Sequence, residues 1–290
     1  MPTLSFQGPL WLLVSYACVL GLIVGSFINV VVHRLPVMLA RQWTAAARAE
    51  LCLPPAAEVP RLNLSVPRSC CPACNHPIAV WENIPVLSYL ALRGKCSSCR
   101  TPISIRYPLV ELVTGILFAF AAWRFGLTVQ TAGLLVLTGL LMSISLIDSK
   151  HQLIPDCLVQ PLLWIGLVLN SKGGFATLDD ALWGTVIGYA GLWSISAVFT
   201  RLSGKQAMGH GDFKLLAALG AWCGWQLVPV ILYGACLLGC AFFALQALNP
   251  GSNSNGASRM MPFGPCLAVM GWITLMWGHF VREVATTLLN

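Results

Sequence analysis

Leu140-Leu141-Met142-Ser143-Ile144-Ser145-Leu146-Ile147-Asp148-Ser149-Lys150-His151 ends an apolar run on a carboxylate and then turns polar. A second carboxylate, Asp212, sits at a similar boundary in Gly209-His210-Gly211-Asp212-Phe213, where two glycines allow a tight turn before a helix starts. A carboxylate at the edge of a membrane segment is costly, so a functional reason is expected for each. If both lie on one side of the bilayer, they can form an acid/base dyad.

The rest of the chain supports a membrane setting. Of 290 residues, 57% are hydrophobic and 9% charged, and the mean hydropathy is +0.76. Soluble domains carry about 25% charged residues. The expected fold is an all-α polytopic membrane protein of about eight transmembrane helices. Windows able to cross about 30 Å of hydrocarbon fall near 10–31, 107–124, 129–147, 154–170, 181–200, 213–226, 228–247 and 263–281. The sixth is short, with a turn expected near Gln226 to Pro229. Met1 to Val32 contains no Lys or Arg, so a retained first helix is expected rather than a cleaved signal peptide.

Charge orients these spans. Residues 33–106, 148–153, 201–214 and 248–262 would share one side and hold 14 of the 17 Lys and Arg; Arg124, Lys172 and Arg282 fall on the other. By the positive-inside rule the first set is cytoplasmic and the N-terminus periplasmic. The third span then ends inside at Asp148 and the sixth begins inside at Asp212. The net charge of +7 is mostly a topology signal, and no soluble basic domain remains to suggest a nucleic-acid partner.

The one long polar stretch, 33–106, is expected to hold a helix from Ala45 that runs into a Pro54-Pro55 turn. Beyond it lie Cys71-Pro72-Ala73-Cys74 and Cys96-Ser97-Ser98-Cys99. Two C-x-x-C knuckles with 21 residues between them match a four-thiolate zinc site. Iron or two disulfides are the alternatives, and a cytoplasmic location disfavours disulfides. Four Cys ligands leave no open coordination position, so the metal is read as structural. Cys70 could replace Cys71, but the matched spacing favours Cys71. Cys52 is unassigned. Cys18, Cys157, Cys223, Cys236, Cys240 and Cys266 read as small buried hydrophobes.

Ile147 to Asp156 is expected to be a turn between helices, with Asp148 ending the first. Asp156, after Pro155, reads as a partner of a helix dipole, and Asp212 has an N-cap as its simplest role. Asp179 and Asp180 read as capping residues. Glu111 is expected to pair with a basic residue or to bind substrate. His210 reads as a polar loop residue. Two close carboxyls in a low-dielectric site share one proton. The ionised one can take a proton from water while the neutral one polarises a peptide carbonyl.

Taken together, these pieces resemble the type IV prepilin peptidase family over essentially the whole chain. The resemblance runs through Gly25 to Pro36, the paired knuckles, Trp81-Glu82-Asn83-Ile84-Pro85 and Arg106 to Glu111. It continues through Ile147-Asp148 with Pro155-Asp156, Gly209 to Lys214, and Pro262-Phe263-Gly264-Pro265. It implies a bifunctional enzyme of the bacterial inner membrane. Such an enzyme cuts the leader from type IV prepilins and type II secretion pseudopilins at the cytoplasmic face, after Gly and before Phe. It then methylates the new N-terminus with S-adenosylmethionine. The family's catalytic pair maps onto Asp148 and Asp212, and its zinc ligands onto Cys71, Cys74, Cys96 and Cys99. The implied domains are a first transmembrane helix (1–32), a cytoplasmic tetracysteine zinc domain between helices 1 and 2 (33–106) and a membrane aspartic peptidase domain (107–290). No Gly-rich fingerprint locates the methyl donor, which the resemblance puts in or near the cytoplasmic loop. Two other readings stand beside this one. One is a proton-coupled transporter using the aspartates as a relay; the other is a non-catalytic zinc-bearing assembly scaffold.

Overall fold

The computed structural model describes residues 8–54, 60–79, 81–204, 208–248 and 262–289, with the backbone alone at 246–247 and 279–289. Pro55, Lys205 and the expected cytoplasmic loop around Arg259 lie outside the described residues. Those described are helical, with two isolated β-bridges and no strand. The chain divides into two compact units, Gln7–Trp123 and Arg124–Asn290.

In the first unit, α1 (Leu10–Glu50) is one unbroken helix of 41 residues. At 1.5 Å per residue it is about 60 Å long, twice the thickness of the hydrocarbon. This corrects the expected break after residue 31 and the separate helix from Ala45. The helix carries Pro36 in its interior and continues because Ala- and Arg-rich sequence follows, which favours helix. Arg34, Arg41 and Arg48, seven residues apart, form a stripe that holds the returning chain. Arg34 donates to the carbonyls of Asn63, Leu64 and Pro67, Arg41 to that of Pro60 and Arg48 to that of Pro54.

After the knuckles come a 3₁₀ turn at Trp81–Asn83, the short α2 (Leu87–Ala91) and α3 (Arg106–Phe125). Helices α1 and α3 meet through glycines. A Cβ at Gly21 would lie 2.7 Å from the Gly115 Cα, and one at Gly25 would lie 2.6 Å from the Glu111 Cα. This is the small-residue contact that membrane helices use to approach closely.

The second unit contains α4 (Val129–His151), α5 (Asp156–Ser171), α6 (Leu178–Ser203), α7 (His210–Cys223), α8 (Val228–Leu248) and α9 (Gly264–Leu289). Helix α7 is the core. It is apolar nearly all round, as a central helix must be, and its residues from Leu215 to Cys223 are all buried. It packs on α5, α6 and α9. The α6–α7 crossing is tight because Gly184 and Gly188 face Gly220 and Ala217, leaving no room for a side chain at the two α6 positions. The indole of Trp222 donates to the Leu162 carbonyl at 2.8 Å. Asn170 closes the end of α5, donating to the Ala221 and Trp222 carbonyls and accepting from the Phe175 and Ala176 amides.

Among the described residues, five helices are long and apolar enough to cross a membrane: Leu10–Glu50, Arg106–Phe125, Val129–His151, Leu178–Ser203 and Trp225–Leu245. Asp156–Ser171 and Gly264–Gly278 are shorter apolar helices. The sixth expected span is the 14-residue α7, about 21 Å long and followed by a 3₁₀ turn at Trp225–Leu227.

Candidate active site and metal centre

Asp148 is not the last residue of its helix. Helix α4 runs a further turn to His151, with Lys150 and His151 placed to complement the dipole. Gln152 then adopts a left-handed φ of 51° and returns its amide to the Asp148 carbonyl. This corrects the expected helix end at Asp148. The Asp148 side chain is 5% exposed. Its Oδ2 accepts a hydrogen bond from the Gly264 amide at 3.1 Å. A Cβ on Gly264 would lie 2.7 Å from that same oxygen, so only glycine leaves the contact free.

Asp212 lies in the first turn of α7, 9% exposed. The N-cap of α7 is Gly209 and no side chain caps it, which corrects the N-cap role expected for Asp212. Its carboxyl instead reaches back to accept the Gly209 amide at the helix end, and Asp148 is close enough for its charge to act on it. Ile154 packs the turns together. A Cβ at Gly211 would meet the Ile154 Cβ at 2.8 Å, and one at Gly264 would meet its Cδ1 at 3.3 Å. The loop after α4, the turn before α7 and the start of α9 therefore converge on the two carboxyls.

Asp156 does start α5, but it also has a counter-ion: Lys214 Nζ lies 2.8 Å from each of its oxygens. Asp180 caps α6 with Thr177 and accepts from Trp225 Nε1 and Gln226 Nε2. His210 lies against the Phe213 ring, 5.6 Å between centroids. Of the six membrane cysteines, Cys223 is buried, Cys18 and Cys266 are half-buried, and Cys157, Cys236 and Cys240 are exposed on their helices. That corrects the expectation that all six are buried.

Glu111 belongs to the first unit, where its carboxylate accepts the Val86 amide at 2.8 Å and the Ser26 hydroxyl. These partners take the place of the expected basic residue. Val86 has φ 60°, an unusual conformation for a β-branched residue.

The four knuckle thiols come together: the Sγ atoms of Cys71, Cys74, Cys96 and Cys99 all lie within 4.8 Å of one another, with Cys71 and Cys99 3.7 Å apart. A zinc–sulfur bond of about 2.3 Å sets tetrahedral corners about 3.8 Å apart, so the set fits such an ion. Cys70 is outside this cluster. The knuckles are two copies of one unit. Cys71 to Ile78 and Cys96 to Ile103 both read C-x-x-C-x-x-P-I. In each, the first Cys amide donates to the carbonyl five residues on, and Asn75 or Arg100 takes φ 57°. This repeat was a sequence signal that spacing alone did not use. The Cys74 and Ala73 amides lower the Cys71 thiol below its usual range, and Thr101 brings Cys99 down to about 6. Cys74 moves the other way, to about 11, with burial and the neighbouring Cys99, Cys71 and Cys96 raising it.

Comparison with known proteins gives this combination a family. Residues 19–125 match the bacterial peptidase A24 N-terminal domain and residues 135–244 the type IV leader peptidase family. Relatives that bear the name prepilin leader peptidase/N-methyltransferase include three from different organisms. That of Pseudomonas aeruginosa is 54% identical over 91% of this chain and 90% of its own length. That of Stutzerimonas stutzeri is 52% identical over 90% of each. That of Neisseria gonorrhoeae is 49% identical over 90% and 89%. The chain belongs to the type IV leader peptidase family of enzymes. No solved structure matches it.

Proposed function

We propose that this enzyme removes the leader of type IV prepilins and type II secretion pseudopilins at the cytoplasmic face of the bacterial inner membrane, with Asp148 and Asp212 as its acid/base pair. One carboxyl, ionised, takes a proton from the attacking water; the other, protonated, polarises the scissile carbonyl after Gly and before Phe. The observation that carries this reading is the convergence of two buried carboxyls under Ile154, at turns whose glycines leave space only for that arrangement.

The cut frees an amine that a second activity methylates, as the relatives' shared name states. S-adenosylmethionine supplies the methyl group. Zinc is the ion we assign to Cys71, Cys74, Cys96 and Cys99, where it would tie the two knuckles together and take no part in hydrolysis. The topology proposed is eight spans, α1 and α3 to α9, with the N-terminus periplasmic and the tetracysteine loop cytoplasmic. It rests on the 14-to-3 division of Lys and Arg.

The test is the intact mass of a co-expressed prepilin. With wild-type enzyme the leader is lost and one methyl gained. With Asp148→Asn or Asp212→Asn the prepilin stays whole while the enzyme remains folded and inserted. Cleavage by either folded variant removes that residue from the pair. Elemental analysis of protein purified without chelator should find about one zinc per chain; none would remove the metal from the account.

A further inference from the structure

Helix α2 presents an apolar face that none of the described residues covers. Leu87 and Leu90, three residues apart and so on one side of the helix, are each 65% exposed. Trp81, in the preceding 3₁₀ turn, is 73% exposed, and Ile105, just before α3, is 67% exposed. Water is a poor solvent for four such neighbours.

Their depth names the alternative solvent. Helix α3 has 20 residues, so at 1.5 Å per residue it is about 30 Å long, which is the thickness of the hydrocarbon with nothing to spare. Its Arg106 end must then stand at the membrane surface. Glu111 lies five residues further along, about 7.5 Å deeper. The Val86 amide is bonded to Glu111 Oε2 at 2.8 Å; a helical side chain leans back toward the N-terminus, so this bond holds the start of α2 at about the level of the surface that Arg106 marks. A second tie holds the other side of the helix: the Tyr89 hydroxyl reaches the Ile103 carbonyl at 3.4 Å, and the Ile103 amide donates to the Gly94 carbonyl at 2.7 Å. The basic residues Arg93 and Lys95 follow directly, both exposed. Long cationic side chains at that level reach anionic headgroups while their stems stay in apolar surroundings.

We propose that α2 and the turn before it form a lipid anchor, with Trp81, Leu87 and Leu90 seated in the headgroup–acyl boundary of the leaflet that Arg106 faces. Anionic phospholipid is the partner. Trp suits this zone because it carries a large apolar ring and one polar N–H. The helix lies in the interface as a short amphipathic element does, and Glu111 fixes its depth. The strained φ of Val86 is the backbone turn that brings the chain into the bilayer edge to meet that carboxylate.

The experiment uses the full chain in phosphatidylglycerol-containing nanodiscs. The chain has 11 Trp, so the Trp81 signal is the difference between wild type and Trp81→Phe, a change small enough to keep the fold. With brominated acyl chains the Trp81 signal should be lost, and aqueous iodide should leave it nearly intact. A signal quenched by iodide and untouched by brominated lipid overturns the proposal. So does protection from iodide that appears only when prepilin is added, which would make this a substrate surface. A second measurement guards against a local change at Trp81. In Leu87→Ser/Leu90→Ser, the Leu92 amide, which bonds to the Ser88 carbonyl and closes α2, should exchange hydrogen faster in nanodiscs than in wild type. Equal rates would also overturn it.

Discussion

Gly264 and Asp148, 116 residues apart, are joined by one hydrogen bond, from the glycine amide to Oδ2 at 3.1 Å. It is the contact that ties the start of α9 to a carboxylate on α4. It also shows why position 264 is glycine, since a Cβ there would occupy the space of the bonded oxygen.

Gly264→Ala should therefore damage catalysis more than folding. The methyl pushes the Asp148 carboxyl from its place, and displacements near 1 Å in such sites cost up to about 100-fold in rate. The expected result is a fall in kcat for prepilin cleavage of roughly 10- to 100-fold with KM little changed. A normal kcat, measured on folded protein in membranes, would remove Gly264 from the positioning of Asp148.

The Lys214–Asp156 pair is expected to matter less. Its side chains are 33% and 60% exposed, and ion pairs in such surroundings contribute about 0–1 kcal/mol. Asp156→Ala and Lys214→Ala should each lower stability within that range and keep measurable cleavage. A folded but inactive Asp156→Ala would give Asp156 a role in the chemistry.

How legible was all this in the sequence? The helical class and the apolar runs were plain, because hydropathy reports burial in lipid directly. The clustering of the knuckle cysteines was plain as well, because C-x-x-C spacing constrains local geometry. The bond from Gly264 was not, since no pattern of side chains announces which way a backbone amide points across 116 residues. The continuity of α1 is not legible in hydropathy, because the apolar run breaks at Arg34 and Pro36 while the helix goes on to join the one expected from Ala45. Yet Arg34, Arg41 and Arg48 were already spaced by seven, the repeat of a helix face. The end of α4 is likewise not legible in hydropathy, because apolar sequence stops at Asp148 whereas the backbone stops at the left-handed Gln152, with Pro155 beyond it.

Glu82 gives the tetracysteine loop a pH dependence. The Ser97 hydroxyl first, then the Ala79 amide and the nearby His76 imidazole, hold its carboxyl below the ordinary glutamate range. A carboxyl lowered on folding adds stability at pH above its unfolded value, and that stability is lost as pH falls through the folded one. Wild type should thus protect the Ala79 amide from hydrogen exchange better than Glu82→Gln at neutral pH. The difference should shrink as pH falls below about 4.3. A gap that is constant with pH would sink this account.

Gly25 tests the packing of the first unit, and here the argument is steric. A Cβ at Gly25 would lie 2.6 Å from the Glu111 Cα and 3.2 Å from the Val110 carbonyl oxygen. Both are backbone atoms of a helix, so neither can rotate aside, and α1 must move off α3. Overpacking of this kind costs about 1–3 kcal/mol. The same displacement carries Ser26 away from the carboxylate of Glu111, which would keep the Val86 amide as its partner. Gly25→Ala should therefore lower the thermal midpoint of the protein and speed exchange at the amides of α1 and α3. Gly191→Ala is the matched control. It lies in α6 with nothing within 4 Å of its Cβ position, and a helical Gly→Ala change without a clash is neutral or stabilising by about 0.4–1 kcal/mol. If both variants melt alike, the close approach of α1 to α3 at Gly25 does not contribute to stability.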